Sequence, residues 1–196
     1  MPVTGLFYHT WTGPGWREVA GEFAAAIDVA GVPGDLTVGI IGDGRAQVEA
    51  RAWWQVRAGP RPLSFVTAET GWEPVTLAAV RAAARQYEVV FYGHTKGLLS
   101  ATGPYRKMLT TRLIGGWRQC VGLLDGVDVV GCNWHPRPVC DPPMMAGNWW
   151  WARGAYIAGL PEPVFPDRTA ADGWIGLGDP AIADLGRGAD PGALKR

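Results

Sequence analysis

Strand-like apolar runs and helix-spaced apolar positions alternate along the first half of the chain. Val3 to His9 is an apolar and aromatic run that opens into the polar, glycine-rich stretch His9 to Gly15, the pattern of a buried strand ending in a loop. Trp16, Val19, Ala20, Phe23, Ile27 and Ala30 then share one helical face, and Gly31, Pro33 and Gly34 end that helix. Leu36 to Ile41 reads as a second strand closed by Gly42-Asp43-Gly44. Residues 45 to 57 read as a helix offering Val48, Trp53 and Val56 to a core, and Ser64 to Ala68 as a third strand. Pro74 suits a first helical turn, where its missing N–H would have no partner anyway, and Leu77, Val80, Ala84 and Tyr87 continue that helix. Glu88 to Gly93 is a buried strand that runs straight into His94-Thr95-Lys96-Gly97.

This repetition predicts an α/β domain whose mostly parallel sheet is covered by helices on both faces. Ligands of such sheets gather beyond the carboxyl ends of the strands, which singles out His9, Thr10, Asp43, Glu69 and the loop from His94 to Gly97. The second half is less regular. Residues 104 to 121 read as a helix weakened at Gly115-Gly116, Val127 to Cys132 as a strand, and the proline-rich stretch Asn133 to Pro143 as a loop. Met144 to Trp151 reads as one apolar strand and Arg153 to Leu160 as a short helix. A single domain over residues 1 to 180 is expected, with a flexible tail over 181 to 196.

Composition narrows the partners. Eighteen basic and eighteen acidic residues cancel, so no net field draws the chain to nucleic acid or an anionic membrane. No apolar run approaches the ~20 residues of a spanning helix, and the N-terminus has no cationic flank before its short apolar stretch, so a cytoplasmic protein is expected. Three cysteines are too few for a disulfide scaffold, and reduced thiols are expected. Cys132, His135 and Cys140, with Cys120, could form a zinc site, but their spacing lacks the paired pattern of such sites. The eleven tryptophans suit either a core or stacking against sugars and bases.

The HTKG loop has chemistry of its own. A lysine and a histidine at a strand's carboxyl end, beside a glycine that opens the backbone N–H groups, suit phosphate oxygens and a departing diphosphate. Asn148 beside three tryptophans suits sugar hydroxyls and a sugar face, and strand alternation puts Trp149 and Trp151 on one side with Trp150 on the other. Gly42-Asp43-Gly44 is either a base or ribose contact or a plain turn.

These boxes occur in a recognisable order. Glu73, Thr76 and Leu77 open a helix; His94, Thr95, Lys96 and Gly97 end a strand; and Trp117 and Arg118 form a pair. Gly147, Asn148, Trp150, Trp151 and Ala152 precede Tyr156, Ile157, Leu160 and Pro161, and Asp172 precedes Trp174, Ile175 and Gly176. The order resembles glycosyltransferase-like proteins of bacteria and viruses related to the rhamnan-synthesis family, over about residues 70 to 178. Ala146 stands where that family tends to have serine, and Asp172 where it tends to have glutamate.

The resemblance implies a single-domain, GT-A-like (Rossmann-like) fold that transfers a sugar from a nucleotide-sugar donor to a glycan or protein acceptor. It implies no prosthetic group; where many members of the fold place a metal-binding carboxylate pair this strand end offers His94 and Lys96, so cationic side chains in place of a divalent metal are expected, with Asp43, Asp125 and Asp128 the fallback metal ligands. Asp172 is then the expected general base, with Lys96 and His94 at the diphosphate. His9, Thr10, Asp43, Thr95, Gly97 and Arg118 are expected on the donor, and Gly147, Asn148, Trp150, Arg168 and Trp174 on the sugar or acceptor. An assembly of identical chains is compatible with this reading. The alternatives are a carbohydrate-binding or inactive transferase-like module, in which the same tryptophans hold glycans without turnover, and a small hydrolase using His94 and Asp172.

Overall fold

The computed structural model describes residues 1–95, 103–165 and 169–186. Among them the chain runs β1 (Thr4–Trp11), α1 (Trp16–Val29), β2 (Asp35–Ile41), α2 (Gly44–Arg57), β3 (Leu63–Ala68), α3 (Pro74–Ala83) and β4 (Val89–His94). It continues through α4 (Gly103–Leu109), α5 (Trp117–Leu123), β5 (Val129–Gly131), β6 (Trp134–His135), β7 (Met144–Met145), β8 (Trp150–Arg153), α6 (Gly154–Gly159) and β9 (Ile182–Asp184). A wide π turn over Thr110–Gly115 joins α4 to α5, at the glycine pair where the sequence predicts a weak helix.

Seven described strands form one sheet in the order β3-β2-β1-β4-β8-β5-β9. All neighbours are parallel except β8, which runs against both β4 and β5. β9 lies beyond the domain boundary expected at residue 180, so the sheet takes in part of the expected tail; residues 187–196 are outside the described residues.

Alternation along the strands sorts side chains into two cores. Leu6, Tyr8, Phe91, Trp149 and Trp151 face α1, α2 and the π turn; Phe7, Tyr92 and Trp150 face α3 and α6. In the first core Tyr8 stacks on Phe23 at 4.2 Å, and Trp149 meets both rings edge-on. The buried α1 residues Trp16, Val19, Ala20, Phe23, Ala24 and Ile27 follow the helical period closely. The expected face of α2 is met only in part: Trp53 packs against the core, but the buried residues are Ala50 and Trp54, while Val48 and Val56 point outward. Trp54 wins because its indole N–H reaches Thr10 Oγ1 at 3.2 Å inside the core.

The expected strand Met144–Trp151 is two strands with a tight turn between them. Asn148 N–H donates to Met145 O at 2.9 Å, which puts Gly147 at the third turn position with φ +88°, a conformation glycine adopts without strain. Asn148 follows at φ +48°, which asparagine tolerates better than most residues.

Candidate functional site

β1 is followed by β2 on one side and flanked by β4 on the other, so the order of strands reverses between β1 and β4. The carboxyl ends of β1 and β4 therefore bound the crevice where an open α/β sheet accepts ligands. His9 and His94 stand side by side there as register partners, both nearly buried and both on the α3 face.

Each histidine is fastened by α3 or by the residue before it. His9 Nδ1 lies 2.8 Å from Thr76 Oγ1. The Thr76 side chain occupies the space over Gly39, the β2 partner of His9, where a Cβ would come within 1.8 Å of the hydroxyl. His94 Nδ1 lies 3.3 Å from Glu73 Oε1, and its Nε2 lies 3.0 Å from Gly147 O.

Glu73 is the hub of this cluster, although it is only 6% exposed. Besides His94, its carboxylate accepts from Tyr92 Oη at 2.9 Å and from Asn148 Nδ2 at 2.5 Å, both on Oε2. Asn148 also donates to Ala171 O at 3.3 Å and accepts the Trp150 indole N–H at 2.8 Å. The network thus connects α3, β4, the turn before β8 and the 3₁₀ segment 169–176 that carries Asp172. Tyr105 holds the same turn from α4, donating to Ala146 O at 2.7 Å. Burial first, and the Glu73 carboxylate second, push the Tyr92 phenol well above its ordinary value, so it remains a donor. Burial likewise raises Tyr105.

The structure brings together part of the expected site. His9, His94, Gly147 and Asn148 meet around Glu73, and half-buried Asp172 is near enough for its charge to act on Tyr92 and Tyr105. Thr95 continues β4, donating its N–H to His9 O at 2.9 Å and accepting from Trp11 N at 3.1 Å. Asp43 lies at the carboxyl end of β2 and caps α2 through Ala46 N at 2.8 Å. Lys96, Gly97 and Arg168 lie outside the described residues.

Other expected contacts are corrected. Thr10 projects to the opposite face of the sheet, beneath Trp54. Arg118 is remote: Trp117 donates to Ala30 O just past α1, at the amino ends of the strands, and exposed Arg118 covers the Trp117 ring at 4.5 Å. Trp150 and Trp174 offer no face to a sugar, being fully packed, with Trp150 stacked on Tyr92 and Trp174 bonded to Pro161 O. Asn148 is turned inward, its amide taken up by protein partners.

Both His94 nitrogens are engaged, so that ring holds structure together rather than offering a free donor to a diphosphate. Motif reading placed Glu73 and Thr76 at a helix start without giving either a role at the site, and it passed over Tyr92. The signal for Tyr92 was present, because it lies two residues before His94 and so on the same strand face.

Among the described residues no three His, Cys, Asp or Glu side chains converge as metal ligands. Cys120 and Cys132 are buried thiols pushed up to about 12, first by burial, which is poor chemistry for a zinc thiolate. Asp128 pairs with Arg153 at 2.9 Å at the amino end of β5, far from the histidine pair. At the end of β4, His94 and Thr95 stand where a carboxylate pair would be needed to hold a divalent metal. No helix among the described residues is long and apolar enough to cross a membrane.

No protein-family model and no curated protein matches the chain. Among solved structures it is similar to Staphylococcus aureus TarS 1–349, with TM-score 0.55 and 12% identity over 95% of this chain and 59% of that one. It is similar to mannosyltransferase PcManGT from Pyrobaculum calidifontis in complex with GDP-Man and Mn²⁺, with TM-score 0.52 and 18% identity over 88% of this chain. A third likeness is to a putative nucleotide-diphospho-sugar transferase from Desulfovibrio desulfuricans G20, with TM-score 0.51 and 12% identity over 95% of this chain and 80% of that one. The chain spans half the length of the mannosyltransferase, 50%. At such identities the likeness speaks for architecture, and the architecture is a GT-A-like, mostly parallel α/β sheet like that of nucleotide-sugar transferases.

Proposed function

We propose that the chain is a nucleotide-sugar-dependent glycosyltransferase domain with its donor at the carboxyl ends of β1 and β4. The observation that carries this reading is the polar cluster of His9, Thr76, Glu73, His94 and Asn148 at the reversal of strand order. Similarity to solved nucleotide-sugar transferases supports it, as do the motifs that resemble the rhamnan-synthesis family.

In this reading Lys96 neutralises the departing diphosphate. Asp172 accepts the proton of the acceptor hydroxyl while that oxygen bonds to the anomeric carbon and the bond from that carbon to the phosphate oxygen breaks. Asp43 lies at the β2 end of the same edge and in this reading serves the nucleoside. Burial of Trp149, Trp150, Trp151 and Trp174 takes those rings out of the alternative of a glycan-binding module, since stacking needs an open ring face, and leaves that alternative the exposed Trp11 and Trp72.

A thermal-shift screen of UDP-, GDP-, dTDP- and CDP-sugars tests donor binding, because a ligand at a hundred times its Kd adds about 2.7 kcal/mol of stability. Release of nucleoside diphosphate that depends on an added acceptor identifies a transferase. Binding without release supports the module, and no stabilisation by any donor rejects the reading.

A further inference from the structure

Beside an ionised Glu73, His94 poses a hydrogen-bonding problem that the imidazolium solves and neither neutral tautomer does. Its Nδ1 faces a carboxylate oxygen of Glu73 at 3.3 Å, and its Nε2 faces the carbonyl oxygen of Gly147 at 3.0 Å. The Gly147 carbonyl has no proton to give, and with Glu73 ionised its Oε1 only accepts, while its Oε2 already receives Tyr92 and Asn148. A neutral imidazole has one N–H, so either tautomer would set a nitrogen lone pair against an oxygen lone pair in a nearly water-free place. The imidazolium donates to both.

Burial works against the cation, since His94 is only 7% exposed. A carboxylate in contact and the hydrogen bond from Nε2 to Gly147 O work for it, and an opposite charge at this range is worth one to three pH units, in order of magnitude. Among the described residues, the titratable groups around the ring are Glu73 at the head of α3, Tyr92 on β4 and His9 on β1. Beyond the turn lie Tyr105, packed on Gly147, and Asp172. Tyr92 and Tyr105 remain neutral phenols, so the carboxylate of Glu73 is the group in contact with the ring that favours a positive charge.

We infer that Glu73 is a positioning residue: its buried carboxylate holds His94 as the imidazolium, and through His94 and Asn148 it fixes the 145–148 turn and the segment bearing Asp172. The two arms are separate. Oε1 acts through His94 on Gly147, and Oε2 acts through Asn148 on Ala171, the residue before Asp172. One carboxylate thereby sets the spacing between the end of β4, which leads to Lys96, and Asp172. This consequence for catalysis rests on the proposed function, whereas the protonation state of His94 does not.

Glu73→Gln is the discriminating variant, because its amide oxygen can still accept from Tyr92 and Asn148 while its NH₂ donates to a neutral His94 Nδ1. The network stays satisfied and only the charge is lost. Long-range ¹H–¹⁵N correlation spectra of the full chain, with His94 identified by elimination using His9→Gln and His135→Gln, report both ring nitrogens directly. The wild type should show His94 doubly protonated at pH 7, with a midpoint at least one unit above the ordinary ~6.5. Glu73→Gln should show a neutral ring with its proton on Nε2 and a midpoint lower than the wild type by at least one unit.

In a transferase assay the variant should lose turnover by about tenfold or more, with donor KM changed less than threefold and Tm near that of the wild type. A neutral wild-type His94 at pH 7, or an unmoved midpoint in Glu73→Gln, overturns the ion pair. Wild-type turnover in a variant whose His94 has become neutral overturns the positioning role. If the wild type turns over no donor, the proposed function fails while the spectra still decide the state of His94.

Discussion

Replacing Asn148 by alanine should destabilise the protein far more than the loss of a solvent-facing sugar contact would. The amide accepts the Trp150 indole N–H and donates to Glu73 and Ala171, at 2.8, 2.5 and 3.3 Å respectively, in a residue 1% exposed. Alanine leaves the Trp150 donor buried without an acceptor, which costs about 1–3 kcal/mol. It also puts a residue less tolerant than asparagine at φ +48°, for about 1 kcal/mol more. Glu73 keeps Tyr92 and His94, so its loss is smaller. The sum is about 3 kcal/mol, or roughly 6–12 °C in Tm for a chain of this size.

Asn148→Gly deletes the same amide but adopts the left-handed conformation freely, and should recover about 1 kcal/mol relative to alanine despite being smaller. Urea unfolding followed by far-UV circular dichroism measures all three proteins. An Asn148→Ala protein within about 0.5 kcal/mol of the wild type, or one at least as stable as Asn148→Gly, would refute the inward-facing network.

Gly39→Ala should drive Thr76 off His9, because the new Cβ would lie 1.8 Å from Thr76 Oγ1; a loss of about 1–3 kcal/mol is expected in the same unfolding assay, with weakened donor binding in calorimetry. Thiol labelling at pH 8 should modify half-buried Cys140 first, since burial raises Cys120 and Cys132 from 9.0 to about 12 and leaves roughly a thousandfold less thiolate; all three should react once urea unfolds the chain. The unfolded chain gives up those two protons near pH 9 and the folded one near pH 12, so their contribution to stability is intact below about pH 9 and lost as the pH rises towards 12, which a series of unfolding curves would reveal. Asp172→Asn keeps the size of the side chain but removes the basic oxygen, and should lower turnover roughly 100-fold while donor binding persists; near-normal turnover would move the base elsewhere.

The regular part of the fold was legible because its elements carry plain patterns. Apolar runs mark β1 and β4, which are buried on both faces, and the three-to-four spacing of α1 identifies which of its residues face the core. The α2 face was met only in part because adjacent Trp53 and Trp54 compete for it, and the deciding contact, Thr10 Oγ1, comes from a distant strand. The break at 146–148 was hidden by apolar neighbours, although Gly147-Asn148 is a turn signal in its own right.

Motif order drew attention to the carboxyl edge of the sheet, where His9, His94 and Asn148 stand, but not to the partners each of them has there. Asn148 and Trp150 look like sugar ligands in sequence because polarity and aromaticity do not reveal burial, and only the three-dimensional partner of each polar atom does. Glu73 lies 21 residues before His94, and nothing local announces that a helix-start carboxylate will reach across to that strand end. Arg118 misleads for the same reason in reverse, since a cation in a matching box lies at the opposite end of the strands.

The central claim is that a nucleoside diphosphate binds where the strand order reverses, and backbone amide shift mapping tests it most directly. The ¹⁵N-labelled chain is titrated with UDP, GDP, dTDP and CDP in turn. The account predicts that at least one of them perturbs a cluster of amides at residues 9–13, 42–44, 94–95 and 146–148, at the carboxyl edge of the sheet. Perturbations gathered instead at residues 33–35, 60–62 and 122–128, at the amino edge, would contradict it.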